Sequence, residues 1–253
     1  MIQFDRVTFS YTSENPVFDQ FCWDARRGET WSVIGPSGCG KSTLLMLLAR
    51  LRSPSSGTVT IDGEPLNRPR PQTGLIIQDY GLLPWATVRQ NVSLGLDVRQ
   101  FYGPDGKHAP RQTFQAETVD YWLDRLGLTS AADQYPQQLS GGQRQRTAIA
   151  RTLLLQPDLL LMDEPFSSLD APTREGLQTL VLDLWAEQEL TLLLVTHSIE
   201  EAALMGRKIL VLGSTPNREA LVVENQAAAD PCFRETPGYA EVCRELRARL
   251  ESR

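Results

Sequence analysis

Gly35-Pro36-Ser37-Gly38-Cys39-Gly40-Lys41-Ser42 is the stretch on which the fold turns. It fits the pattern G-x-x-x-x-G-K-[ST], and its surroundings fit as well. The run Thr30–Ile34 leads into it as a strand. Beyond it Leu44, Leu45, Leu47, Leu48 and Leu51 fall at helical spacing. Strand, glycine-rich loop and helix in that order cradle phosphate. The small residues let backbone N–H groups close around the oxygens, and the helix N-terminus adds partial positive charge. Lys41 is expected to reach the β- and γ-phosphates of a nucleotide, and Ser42 to ligate Mg²⁺. Cys39 reads as the filler of a small-residue slot.

Further along, Leu159-Leu160-Leu161-Met162-Asp163-Glu164 is a buried strand ending in two carboxylates. Either acid alone suits a solvated strand end, but the pair after such a strand suits chemistry. Asp163 is expected in the Mg²⁺ shell and Glu164 beside the attacking water. Val195-Thr196-His197 ends a third strand. Ligands on parallel sheets sit at strand ends, so His197 is a candidate for contact with a γ-phosphate or the water. A lone histidine is more often structural; the neighbouring motifs favour function. Gln78 follows the strand Leu75–Ile77 and offers its amide to Mg²⁺ or the water. Tyr11 either stacks on adenine or packs on the core. Ser140-Gly141-Gly142 opens a helix near Gln143, which makes either a second anion site or an ordinary N-cap.

The bulk properties narrow the partners. A chain of 253 residues can bury one sizeable core, or a core with a smaller lobe. The net charge of −6 argues against duplex nucleic acid as the main partner. No apolar run approaches the roughly 20 residues that span a bilayer. Met1 leads straight into a strand-like segment, so no signal peptide is expected and a membrane role must come through a partner. Cys22, Cys39, Cys232 and Cys243 form no metal-binding spacing and read as reduced thiols. Strand-like runs at 158–163, 191–196 and 208–212, with a helix at 173–188, imply a parallel sheet. Residues 57–63 alternate as a short antiparallel strand. Residues 87–153 are helical in texture (118–126 and 143–155), interrupted by the polar segment Tyr102–Lys107. Tyr239, Val242, Cys243, Leu246 and Leu250 share one face of a terminal helix.

Tyr11, Gly35–Thr43, Gln78, Leu139–Gln143, Leu159–Pro165, Ser168-Leu169-Asp170 and His197, in this order and spacing, resemble the ATPase subunit of ATP-binding-cassette (ABC) transporters. The resemblance covers about residues 1–215. It implies an α/β P-loop NTPase: a RecA-like parallel-sheet core with an antiparallel β lobe (1–87 and 154–215), and an α-helical lobe (88–153) carrying the signature stretch. Residues 216–253 then form a C-terminal extension with a docked helix. It also implies two copies facing head to tail. ATP would lie between Gly35, Pro36, Ser37, Gly38, Cys39, Gly40, Lys41, Ser42 and Thr43 of one copy and Ser140, Gly141, Gly142 and Gln143 of the other. Tyr11 would meet the adenine, and Asp170 would sit in a loop crossing the interface. Glu164, His197 and Gln78 take catalytic roles by this resemblance, and Ser42, Gln78 and Asp163 hold the metal.

A finer likeness lies in Gln78–Trp85 followed by Asn91–Leu96, which looks like the nitrate/sulfonate/taurine group of bacterial importers. There this region receives a helix of the membrane permease, so Leu82, Leu83 and Trp85 either contact that subunit or pack within the helical lobe. The implied protein is a peripheral ATPase on the cytoplasmic face of the inner membrane, driving a permease fed by a solute-binding protein. A soluble ABC ATPase of repair, translation or cofactor assembly is the rival; such proteins usually carry two cassettes or coiled-coil insertions. A P-loop metabolite kinase would leave Ser140–Gln143 and His197 unexplained. Ile77 departs from the family's frequent phenylalanine, and the loop around 100–116 is long and polar.

Overall fold

The computed structural model describes residues 1–12, 15–102, 117–230 and 232–251. In chain order the elements are β1 (Ile2–Ser10), β2 (Pro16–Ala25), β3 (Thr30–Ile34), α1 (Lys41–Leu48), β4 (Ser56–Ile61), β5 (Glu64–Pro65), β6 (Thr73–Ile76) and α2 (Val88–Tyr102). They continue with α3 (Glu117–Arg125), α4 (Gly141–Leu153), β7 (Leu159–Asp163), α5 (Ala171–Gln188), β8 (Thr191–Val195), α6 (Ile199–Met205), β9 (Lys208–Val211), β10 (Asn217–Glu219), β11 (Leu221–Glu224) and α7 (Pro237–Glu251).

Two sheets result. The larger runs β11-β9-β3-β8-β7-β6, parallel except for β11 at its edge. Its strands β3 and β8 are buried at every residue and β7 at all but Asp163, as parallel strands covered on both faces require. Side chains alternate across it. Leu160, Met162, Leu192 and Leu194 pack towards α2, α3, α4 and α5, whereas Leu159, Leu161, Leu193 and Val195 pack towards α1 and the second sheet. That second sheet runs β10-β2-β1-β4-β5 and places Phe4, Val7, Phe18 and Phe21 against α1. The expected α/β architecture, a parallel core with an antiparallel sheet and a helical region, is present.

Register is what positions the site. Val33 pairs with Val195, Val195 with Asp163, and Met162 with Ile76. The C-terminal ends of β3, β8, β7 and β6 therefore lie side by side, about 4.8 Å apart per strand step.

Some local expectations shift. Helix α1 stops at Leu48 and not at Leu51, because Arg50 takes left-handed backbone (φ 57°) and ends the periodic run. Helix α4 begins at Gly141, two residues ahead of Gln143. Helix α2 extends through Tyr102, the first residue of the expected polar loop; the rest of that loop lies outside the described residues. The tail does more than dock a helix. Strand β10 pairs with β2, β11 pairs with β9, and α7 lays Cys243 and Leu246 against α6 and β9. Among the described residues no helix is long and apolar enough to cross a membrane.

Candidate nucleotide-binding site

The loop Gly35–Gly40 leaves β3 and enters α1. Gly40 sits at φ 108°, and a Cβ there would lie 2.5 Å from Val17 Cγ1, so the loop closes on β2 with space for glycine only. Lys41 Nζ donates to the carbonyls of Gly35 (2.8 Å) and Pro36 (3.1 Å), which folds the ammonium back over the loop. Ser42 hydrogen-bonds the carboxyl of Asp163 across the gap between α1 and β7. Thr43 is buried and its hydroxyl pairs with Tyr11 Oη at 3.1 Å. Cys39 is buried and burial pushes its thiol up, which agrees with a space-filling role.

One residue at this loop had no sequence signal. Asn217, 3% exposed, donates from Nδ2 to the carbonyls of Cys39 (2.7 Å) and Val17 (3.3 Å), while its Oδ1 accepts from Gly213 N (2.9 Å). It ties the phosphate loop to β2 and to the chain leaving β9. An asparagine 178 positions away shows no periodicity with that loop. Only a demand for partners of buried main-chain groups could have found it.

Asp163 and Glu164 follow one another at the end of β7. Burial raises the Asp163 carboxyl above its ordinary range, opposed by the Ser42 bond and by Lys41 and reinforced by Glu164. Glu164 occupies left-handed backbone (φ 47°), a strain of roughly 1–3 kcal/mol for a non-glycine residue. Its N–H donates to Val195 O at 2.9 Å, and its Oε2 lies 2.8 Å from His197 Nδ1. The imidazole is thus set against the carboxylate of Glu164, with its ring largely exposed.

Behind His197 lies a buried network also absent from the sequence reading. Thr196 Oγ1 donates to Glu201 Oε2 at 2.6 Å and accepts from Ser198 N at 3.1 Å, while Arg174 Nε faces Glu201 at 3.8 Å. Burial raises the Glu201 carboxyl.

The remaining candidates are spread around this centre. Gln78 is exposed past the end of β6, in a cleft of about 360 Å³ lined also by Asp79, Tyr80, Arg144 and Ser168. Tyr11 exposes its ring, packs edge-on against Phe9 at 5.0 Å, and carries the Arg52 guanidinium 5.7 Å from its centroid. Its ring thus rests on the core at Phe9 with much of its surface exposed. Ser140 and Gln143 form a reciprocal cap on α4: Ser140 Oγ accepts from Gln143 N (3.2 Å) and Gln143 Oε1 accepts from Ser140 N (2.9 Å). Gly142 is pressed on Thr173, where a Cβ would come within 2.6 Å. No hydrogen bond among the described residues joins Ser140–Gln143 to Gly35–Thr43. Asp170 is exposed just before α5, and Thr173 holds its carboxyl below the usual range. Leu82 and Leu83 are half-buried, Leu82 against the core, whereas Trp85 is 72% exposed. The segment holding them is shaped by buried Asn91, whose amide bonds Leu83 through both N–H and C=O and also reaches the carbonyls of Ala86 and Thr87.

Comparison with known proteins finds related sequences and folds. The family model described as ABC transporter matches residues 18–167. The nitrate import ATP-binding protein of Synechocystis sp. is 42% identical over 189 residues, covering 75% of this chain and 68% of that protein. The aliphatic sulfonates import ATP-binding protein of Bacillus cereus is 35% identical, covering 93% and 88%. A solved dimeric bacterial ABC transporter cassette superposes with a TM-score of 0.74 at 30% identity, covering 88% of this chain and 98% of its own.

Two outcomes follow from the geometry. A carboxyl raised by burial costs the fold most once pH exceeds its folded pKa, and the cost fades as pH falls and the group protonates. Asp163→Asn keeps an acceptor for Ser42 without the charge. In ligand-free protein it should unfold at a higher temperature than wild type near neutral pH, with the gap closing in acid. A pH-independent gap, or a lower melting temperature throughout, contradicts that account. Asn217→Ala orphans buried main-chain groups at roughly 1–3 kcal/mol apiece. Urea unfolding should show a loss of about 2–4 kcal/mol, and calorimetry should show weaker ATP binding.

Proposed function

Because the chain belongs to the ATP-hydrolysing subunits of ABC transporters, in the nitrate/sulfonate/taurine group, we propose that it powers a bacterial importer as a head-to-tail homodimer. Each ATP lies between Gly35–Thr43 of one copy and Ser140–Gln143 of the other. The observation that carries this is that two helix starts with the residue types of an anion site, at α1 and α4, share no hydrogen bond among the described residues. Bringing both to one γ-phosphate calls for a second copy.

Within each site the contacts support the following roles. Lys41 exchanges its bonds to Gly35 and Pro36 for phosphate oxygens, and the exposed ring of Tyr11 stacks on the adenine. The Ser42 hydroxyl, the Asp163 carboxylate and the Gln78 amide oxygen are hard oxygen donors of the kind Mg²⁺ takes. Asp163, raised by burial, is a carboxylate that a cation would favour. Bound there, Mg²⁺ offsets charge on the β- and γ-phosphate oxygens. Glu164 receives the proton of the attacking water. His197, donating from Nδ1, orients that carboxylate and leaves Nε2 as an acceptor towards the attacking water. Asp170 lines the interface between copies.

The subunit sits at the cytoplasmic face of the inner membrane, docked on permease subunits through Leu82, Leu83 and Trp85. Exposure of an indole beside two half-buried leucines supports that surface. The solute, delivered by a binding protein, is of nitrate, sulfonate or taurine type, as the relatives' names suggest.

Glu164→Gln should slow hydrolysis by about 10²–10⁴-fold while preserving ATP binding, and should elute as a dimer from gel filtration with ATP and Mg²⁺. A strictly monomeric profile under those conditions counts against the paired site. Trp85→Ala should reduce solute uptake by the assembled transporter more than ATPase activity of the isolated subunit. Equal loss of both would mark Trp85 as a folding residue.

A further inference from the structure

The turn that follows Gln78 is strained and held from outside. Tyr80 and Gly81 both occupy left-handed backbone, φ 63° and 59°, a conformation tyrosine adopts only under constraint. Tyr80 is nonetheless 8% exposed and bound on several sides. Its N–H donates to Ile77 O at 2.9 Å, and its hydroxyl pairs with Ser168 Oγ at 2.6 Å. Arg151, in the last turn of α4, donates from Nη2 to Tyr80 O and from Nη1 to Gly81 O, each at 2.7 Å.

That use of an arginine is informative. Burial lowers the pKa of Arg151, and among the described residues it forms no ion pair. A guanidinium committed to two successive carbonyls, with no carboxylate, supplies geometry more than charge; its rigid planar fork reaches each acceptor from a separate nitrogen and so fixes their relative placement more tightly than a single ammonium nitrogen would. The helix that carries it also begins at the Ser140 cap, eleven residues away or about 16 Å along the axis. Ser168, on the other side of Tyr80, lies between Glu164 and Asp170, and its neighbour Ser167 donates to Glu164 O at 3.1 Å.

We propose that Arg151 is a positioning residue for Gln78: its two-pronged bond to the Tyr80–Gly81 turn sets the Gln78 amide at the end of β6 and links that placement, through rigid α4, to the Ser140 cap. The inference rests on the catalytic reading of Gln78. It extends that reading to a residue that touches neither nucleotide nor metal. A bond that merely stabilised the fold would lower stability without depending on which side chain stands at position 78.

A double-mutant cycle on ATP hydrolysis by the full chain separates the two. Arg151→Lys should lower kcat by roughly 10- to 100-fold through misplacement of a catalytic group, with KM for ATP little changed. Gln78→Ala should lower kcat to a similar level, and the double variant should fall no further than Gln78→Ala alone. Losses that multiply would overturn the relay, as would a normal kcat in Arg151→Lys. Full activity in Gln78→Ala would overturn the reading of Gln78 and the relay together. Should Arg151→Lys fail to fold, Tyr80→Phe removes only the bond to Ser168 and loosens the same turn. Its loss of kcat should likewise vanish in the Gln78→Ala background, and persistence there would refute the proposal.

Discussion

Everything at this site depends on the hydrogen-bond register of the parallel sheet. Val33 opposite Val195, and Val195 opposite Asp163, bring three strand ends to one level. A slip of one residue in β7 would turn Asp163 away from Ser42 and bury a different set of leucines. The register is held because β3, β7 and β8 are covered on both faces. Each strand has apolar partners on two sides, and the interlocking of those particular side chains selects the pairing. The chemistry is a by-product of core packing placed at the one edge where the strands run out.

Strained backbone and desolvated carboxyls meet at that edge. Glu164 and Tyr80 adopt backbone that residues other than glycine mostly avoid, and Asp163 and Glu201 are carboxylates lifted by burial. Each is kept in place by a rigid neighbour: Val195 O for Glu164, Arg151 for Tyr80, Ser42 for Asp163 and Thr196 for Glu201. Such residues cluster at functional sites because surrounding structure can over-determine them there. The same neighbours join separate elements. Tyr80 touches α4 through Arg151 and the Glu164–Asp170 turn through Ser168, so three segments of the site share one junction.

Much of this was legible in the chain. The phosphate loop, the two acids after an apolar strand and the histidine after another are local patterns, each contained in a few residues beside its own strand. Their chemistry needs those residue types in that order, so reading them requires no knowledge of the fold. Boundaries were less legible. Helix α1 stops short of its apolar period at Leu51, and α4 starts two residues before Gln143, because backbone conformation at Arg50 and the Ser140 cap decide the ends.

What the sequence alone determined was the class of machine and the candidate residues for phosphate, metal and water, because those candidates are written in contiguous motifs. Tertiary structure alone decided how those residues are supported. Asn217 beneath the phosphate loop, Glu201 behind His197, Arg151 on the Tyr80–Gly81 turn, and β10 and β11 completing two sheets leave no local trace. Asn217 and Arg151 answer the demand of main-chain groups in distant segments, and Glu201 that of the buried Thr196 hydroxyl, with Arg174 of α5 facing it. That demand comes into being only when burial removes water from the group, so its answer is found in space and not along the chain.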